Sequence, residues 1–186
     1  MAYSDQTKWN QRYQNNPIPN QPIEILKKAL PLIEGKKALD IACGMGRHSI
    51  YLAKKGFIVD ALDISSVAIA QLKGEQNIFP ICIDFDKERL PQKKYHLIVC
   101  SYFLKRSLFP QIIQRLENRG ILIYETFISH PQNEQTPSNS SFLLKENELF
   151  EVFSPTLEIL FYKEYWDKTM KGNRMYKASL IAQKKH

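Results

Sequence analysis

Apolar residues in this chain gather in short runs, separated by stretches where they recur three and four apart. The first rhythm marks strands and the second marks helices. Ala38, Leu39 and Ile41 form the first run. Ser49, Ile50, Leu52 and Ala53 follow at helical spacing as far as Lys55, and Gly56 is well placed to cap that helix. Phe57 to Leu62 is the second run and ends at Asp63; Ser65 then caps a helix that extends through Leu72. Asn77 to Ile83 is the third strand, sent toward an edge by Pro80. Tyr95 to Ser101 is the fourth, leading through Tyr102–Arg106 into a helix on Leu108, Ile112, Ile113 and Leu116. Gly120 to Phe127 is the fifth.

The two ends of the chain complete this series. Trp9 and Tyr13 lie one helical turn apart, and Asn15-Asn-Pro-Ile-Pro19 reads as the loop after them. Pro22 starts a helix carrying Ile23, Leu26 and Leu30, ended by Pro31 and Gly35. Residues 128–141, with Pro131 and Pro137, form a polar loop of lid-like length, and Leu149, Val152 and Phe153 place a short helix behind it. Leu157–Tyr162 and Met175–Ala182 read as two last strands. The connection from Trp166 to Arg174 contains Gly172-Asn173, a hairpin signal. Strands alternating with helices predict a doubly wound, mostly parallel α/β sheet, here of seven strands, closed by an antiparallel hairpin.

The chemistry concentrates where the first strand meets its helix. Cys43-Gly-Met-Gly46 is a turn in which two glycines allow a ligand close to the backbone, and the next helix points free N–H groups into the same space. A dinucleotide fingerprint requires a third glycine, and Ser49 stands there instead. Asp40 precedes the glycines, and Asp63 ends the second strand, where a carboxylate can accept two hydrogen bonds from a ribose diol.

This arrangement resembles the first motif of class I S-adenosylmethionine-dependent methyltransferases, Asp/Glu-x-Gly-x-Gly-x-Gly. Asp40, Gly44 and Gly46 match it, and Ala42 replaces the first glycine. Tyr124-Glu125-Thr126-Phe127 and Phe142–Leu149 resemble the small tellurite-resistance-type branch of those enzymes, and the resemblance spans residues 36–183. It implies a Rossmann-like methyltransferase fold in one domain, 1–186, with residues 1–35 as a helical cover over a cofactor-binding core, 36–186. It also implies S-adenosylmethionine as cofactor, S-adenosylhomocysteine as product, and a small acceptor such as a thiol or a chalcogen oxyanion. Asp40, Ala42, Gly44, Gly46, Asp63, Ile64, Asp84, Phe85 and Ser101 map to cofactor contacts, with Asp84 on the adenine amino group and Phe85 on the ring.

The loops after the fourth and fifth strands would build the acceptor pocket from Tyr102, Arg106, Tyr124, Glu125 and Thr126. Arg47 and His48 open the first core helix beside the cofactor, and Arg174 lies in the hairpin loop. His48, Arg106, Tyr124 and Glu125 are the candidate catalytic groups, and none is singled out. Arg106 would either hold an anionic acceptor or brace a carboxylate. His96 stands where relatives have an acid, at a strand's start, and reads as structural.

Composition adds boundaries. A chain of 186 residues with 44% hydrophobic and 24% charged residues suits one globular domain. No apolar run is long enough for a transmembrane helix, and the polar N-terminus lacks a signal-peptide core, so a cytoplasmic monomer or homodimer without membrane contact is the expectation. Three scattered cysteines form neither a disulfide framework nor a zinc signature; Cys82 and Cys100 read as small hydrophobes and Cys43 as a turn residue. The four histidines are dispersed, so no metal site is expected. The formal charge of +7 comes from scattered pairs, Lys27-Lys28, Lys36-Lys37, Lys54-Lys55, Lys93-Lys94 and Lys184-Lys185, read as solvated faces rather than a nucleic-acid or anionic-surface patch. An RNA or protein methyltransferase and a non-catalytic S-adenosylmethionine-binding protein are the alternatives; a dehydrogenase is disfavoured by Ser49.

Overall fold

The structure, a computed structural model, describes residues 2–15, 21–169 and 171–185. Of the expected Asn15–Pro19 loop, only Asn15 lies within the described residues. Among the described residues seven strands form one sheet: β1 (Lys37–Ile41), β2 (Ile58–Asp63), β3 (Ile78–Cys82), β4 (Tyr95–Ser101), β5 (Leu116–Phe127), β6 (Leu157–Lys168) and β7 (Arg174–Lys184). Their order is β3-β2-β1-β4-β5-β7-β6. The first five run parallel, and β7 pairs antiparallel with both β5 and β6. This is the doubly wound sheet with a closing hairpin that the sequence predicts.

Among the described residues six α-helices accompany it: α1 (Ala2–Asn15), α2 (Glu24–Ala29), α3 (Arg47–Lys54), α4 (Ser66–Gln71), α5 (Phe109–Arg115) and α6 (Glu148–Phe153). Alternate residues of each strand feed opposite faces. Leu97, Val99, Ile121 and Ile123 pack with Leu26, Ala29 and Leu52 under α2 and α3. Ile98, Cys100, Leu122 and Tyr124 pack with Phe109, Ile112, Leu149 and Phe153 under α5 and α6. Ser65 caps α4 as expected, accepting from the Ala68 N–H at 3.2 Å. His96 is structural: its Nδ1 accepts from the Lys37 N–H, and its ring fills the space beside Gly35.

Some element boundaries, and the place of Cys82, differ from the sequence reading. α2 starts at Glu24, and Pro31 lies inside a one-turn 3-10 helix rather than beyond the helix. α5 ends at Arg115, and Leu116 already belongs to β5, which pairs with β4 through a register shift between Tyr95 and Leu97. β6 continues to Lys168, so Trp166 lies in a strand opposite Tyr176 instead of in the connection. Its second half, Lys163-Glu-Tyr-Trp-Asp-Lys168, is mostly polar, as an edge strand with one wet face can be, and so escapes a search for apolar runs. Cys82, finally, is exposed on β3 rather than a packed hydrophobe; β3 is the other sheet edge.

Candidate cofactor and acceptor site

β1 runs directly into the glycine turn. Gly44 has φ 55° and Gly46 φ 79°, both left-handed. A Cβ on Gly46 would lie 2.4 Å from Leu72 Cδ2, and one on Gly44 2.7 Å from the Tyr13 hydroxyl, so both positions need glycine. Ala42, at the motif's first glycine, also sits at φ 54°. An L-residue there is strained by about 1–2 kcal/mol, against the extra entropy that glycine loses on folding. Ala42→Gly is therefore expected to stabilise the protein by about 0.5 kcal/mol. A lower urea midpoint in the variant would contradict this account of the turn.

The two acids around the turn do different work. Asp40 is buried behind it, and its Oδ2 accepts from the Ser49 N–H at 3.1 Å and the Ser49 hydroxyl at 2.6 Å, fixing the first turn of α3. Its Oδ1 has no hydrogen-bond partner among the described residues. Asp63 Oδ2 accepts from the Gly44 N–H at 2.8 Å, and Oδ1 from the Ser65 N–H at 2.9 Å. A carboxylate has about four acceptor sites, so two remain for a ribose diol. Burial pushes the Asp63 carboxyl above its ordinary range, and the N–H bonds from Ser65 and Gly44 pull back only part of the way.

Beside Asp63, at the carboxyl ends of β2 and β3, lies a pocket of about 240 Å³ walled by Ile64, Cys82, Ile83 and Asp84. Asp84 Oδ2 is buried and accepts no hydrogen bond, although the Lys87 ammonium lies 3.3 Å away. Phe85 turns onto Phe103, with ring centroids 5.5 Å apart. Helix α1 crosses this rim. Gln6 donates to the Ile64 carbonyl at 3.0 Å, and the Asn10 carbonyl accepts from the Ser65 hydroxyl at 2.6 Å. Ser101, ending β4, accepts from Arg47 Nη2 at 3.2 Å, and the Arg47 guanidinium stands 5.0 Å from the Tyr102 ring. Tyr102 holds φ 55°, an outlier for a bulky side chain, and such strain gathers at functional sites. Cys43 is buried, and burial with Asp40 and Asp63 nearby pushes its thiol well up, so it serves the turn rather than chemistry.

The four candidate catalytic groups are committed to structure. His48 is buried, with Nε2 accepting from the Ile23 N–H at 3.4 Å and Nδ1 3.7 Å from Asp40 Oδ1, so it ties α2 to α3 instead of facing an acceptor. Arg106 grips Glu148 with two donors and gives others to the carbonyls of Ser141 (2.9 Å) and Leu143 (3.0 Å). Of its two expected roles it therefore has the bracing one. Tyr124 points into the core under α5, its hydroxyl donating to the Phe103 carbonyl at 2.9 Å, and Thr126 is buried on that same face. Glu125 is buried and accepts from Tyr102, Ser179 and Tyr165. Arg174 engages Glu134, and its guanidinium stacks over Trp166 at 5.3 Å.

Comparison with known proteins fits this geometry. The sequence profile of the family described as Tellurite resistance protein TehB matches residues 1–177. The chain belongs to the TehB family. A curated relative, the probable S-adenosyl-L-methionine-dependent methyltransferase TehB of Haemophilus influenzae (strain 10810), is 32% identical over 174 residues, covering 84% of this chain and 60% of the relative. The chain thus spans about 60% of that relative's length. The crystal structure of TehB from Haemophilus influenzae superposes with a TM-score of 0.75 at 27% identity, covering 97% of this chain and 67% of the other. A tRNA (uracil(54)-C(5))-methyltransferase of Pyrococcus abyssi is 28% identical over 109 residues, 56% of this chain and 27% of that protein.

This TehB-family chain also holds a polar cluster that the sequence reading missed. Lys177 is buried on β7, its ammonium 3.3 Å from Glu125 Oε1, 2.6 Å from Asp167 Oδ2 and 3.2 Å from the Tyr102 hydroxyl. Burial works against its charge, but Tyr102, Glu125 and Asp167 outweigh that and raise its pKa above the ordinary lysine range. Burial and Glu125 together push the Tyr102 phenol up to about 12. The available signal was Lys177 and Ser179 at alternate positions in an otherwise apolar strand.

Proposed function

We propose that this TehB-family chain is an S-adenosylmethionine-dependent methyltransferase acting on a small, readily ionised acceptor. The observation that carries the cofactor part is the buried Asp84 Oδ2, which accepts no hydrogen bond, beside the pocket at the ends of β2 and β3, next to an Asp63 with acceptor capacity left. Its neighbour of opposite charge is the largely exposed Lys87 ammonium at 3.3 Å, and an adenine amino group would give it the hydrogen bond it lacks. Gly44 and Gly46 carry no side chain of their own on this side, and the Tyr13 hydroxyl from α1 packs against Gly44. The residues present therefore fit the cofactor.

When bound, S-adenosylmethionine supplies an electrophilic methyl group on a sulfonium. The chain's own residues bind and orient. Asp63 would hold the ribose, Ile64, Asp84 and Phe85 the adenine, and Ala42, Gly44, Gly46 and Ser101 would flank the rest. Asp40 shapes the turn from behind. Arg47 is a cation at the start of α3, suited to a carboxylate or an anionic acceptor. Helix α1 would act as the cover that excludes water, since Gln6, Asn10 and Tyr13 all reach across the rim. His48, Tyr124 and Glu125 have their polar atoms held by neighbours, which favours an acceptor that ionises unaided, a thiol or a chalcogen oxyanion.

Calorimetric titration with S-adenosylmethionine, S-adenosylhomocysteine and NAD tests the cofactor assignment. Tight binding of the two sulfur nucleosides, with none of NAD, is expected; no binding by folded protein would overturn it. Transfer to a panel of thiols and chalcogen oxyanions tests the acceptor class, and binding without transfer to any acceptor would mark a binding protein instead. The titration also has a predicted pH dependence. Below the Asp63 pKa the carboxyl is protonated and accepts the diol more weakly. Because burial raises that pKa, affinity is expected to fall on acidification at a higher pH than for an ordinary carboxylate, and Asp63→Asn should flatten the profile. The linked stability has the opposite sense: the raised value favours folding at low pH, and this is lost as pH rises through it.

A further inference from the structure

The lysine pairs that look scattered in sequence converge in space. Parallel strands start at the pole opposite the cofactor cleft, and α3 and α5 run down to it. Lys36 and Lys37 stand at the foot of β1, Lys54 and Lys55 at the end of α3, Lys94 before β4 and Lys184 at the end of β7. Contacts verify the convergence. The Lys36 ammonium donates to the Lys55 carbonyl at 3.2 Å, the Lys94 ammonium to the Gln114 carbonyl, and the Lys184 ammonium to the Leu116 carbonyl at 3.0 Å. Burial and then the neighbouring Lys94 push the Lys184 pKa down, as crowded like charges do.

Little at this pole neutralises that charge. Glu34 is bonded to Arg119 at 2.8 Å and Asp60 to Lys93 at 2.9 Å, so each acid there is matched by a further cation. Glu75, Glu117 and Glu158 are the remaining acids on nearby segments, Glu158 lying opposite Gln183 beside Lys184. The carboxyl ends of α2, α3 and α5 contribute only about half a negative charge each.

We propose that this pole docks on an anionic lipid surface. Two observations favour lipid over nucleic acid. The cations are mainly lysines, compact ammoniums suited to a diffuse negative surface, rather than arginine forks for single phosphates. The exposed apolar residues among them are mainly aliphatic: Ile58 is 49% and Leu32 43% exposed, with one ring, Phe79, opposite Asp60, and the Ile58 N–H donates to the Lys36 carbonyl at 2.7 Å. Phe79 alone is too little of a stacking platform for successive bases; Phe57 is buried under the Lys36 ammonium at 4.4 Å, and Tyr51 carries Lys55 at 5.8 Å. Aliphatic side chains beside lysines match the headgroup boundary of a bilayer. No helix among the described residues is long and apolar enough to cross a membrane, so the contact is peripheral. It leaves the cofactor cleft facing water.

The test is co-sedimentation of the protein with phosphatidylcholine vesicles, with and without phosphatidylglycerol. Binding only to the anionic vesicles is expected, with release at about 1 M salt. Lys36→Glu combined with Lys55→Glu should weaken partitioning at least about 20-fold, from roughly five-fold per lost charge. Ile58→Asn should weaken it several-fold, and Lys145→Glu, away from the pole, should leave it unchanged. Thermal unfolding and circular dichroism confirm that each variant is folded. Failure to bind anionic vesicles, binding insensitive to the Lys36/Lys55 reversal, or displacement from vesicles by a single-stranded RNA oligonucleotide would each overturn the proposal. None of these outcomes depends on the methyltransferase assignment.

Discussion

Glu125→Ala is expected to remove about 3 kcal/mol of stability and to lower Tm by about 9 °C. The reason is asymmetric burial. Lys177 is 2% exposed and keeps its charge, so losing Glu125 strands one of its two carboxylate partners' worth of compensation while Asp167 remains. The substitution also frees the hydroxyls of Tyr102, Tyr165 and Ser179, which all donate to Glu125. Glu125→Gln should fall between the variant and the parent. Replacing both charges by apolar groups of similar size, Glu125→Leu with Lys177→Met, should recover much of the loss, because the burial penalty of both ions disappears with their attraction. Chemical denaturation of the four proteins measures this. A loss below about 0.5 kcal/mol for Glu125→Ala would mean that water reaches the cluster and the pair is not truly buried.

The second large effect is on binding. Asp63→Ala is expected to weaken S-adenosylhomocysteine binding about 100-fold, the equivalent of two charge-assisted hydrogen bonds at about 1.5 kcal/mol each. The loss has a structural part as well, since the Gly44 and Ser65 N–H groups both rest on this carboxylate. Asp63→Asn, which keeps one acceptor oxygen, separates the two: a variant with the parent's unfolding midpoint and weakened nucleoside binding isolates the ligand contribution. Equal affinity in parent and Asp63→Ala, measured by calorimetry, would remove Asp63 from the cofactor site.

Local signals in the sequence were readable because local physics decided them. The strand, glycine turn and helix around Asp40–Gly46 follow from spacing and backbone freedom, and the Ser65 cap from a side chain reaching three residues on. Pro80 marked a sheet edge because it cannot donate to a ladder, and β3 is that edge. Side-chain partners were not readable in the same way. Arg106 and Glu148 are separated by 42 residues, and Glu125 and Lys177 by 52. Whether a polar residue faces a ligand or another side chain is settled by where the chain brings it back, and nothing in the spacing says so. The same is true of the lysine pairs, whose convergence is a property of a parallel sheet rather than of any one segment. The acids at strand ends were easier because a strand's carboxyl end has a fixed position relative to the turn that follows.

The strand order also governs when the domain can assemble. β7 lies between β5 and β6, and β6 pairs with β7 alone. During synthesis β6 therefore leaves the ribosome with no partner, carrying Leu160 and Phe161, which stay about 40% exposed even in the finished sheet. The parallel strands can collapse around α3 and α5 earlier, but the open side of β5 waits for the returning strand. That interval is when an unpaired edge can meet another nascent chain. Ending the chain after Lys168, which leaves β6 without its partner, should give more aggregation of newly made protein than ending it before Leu157.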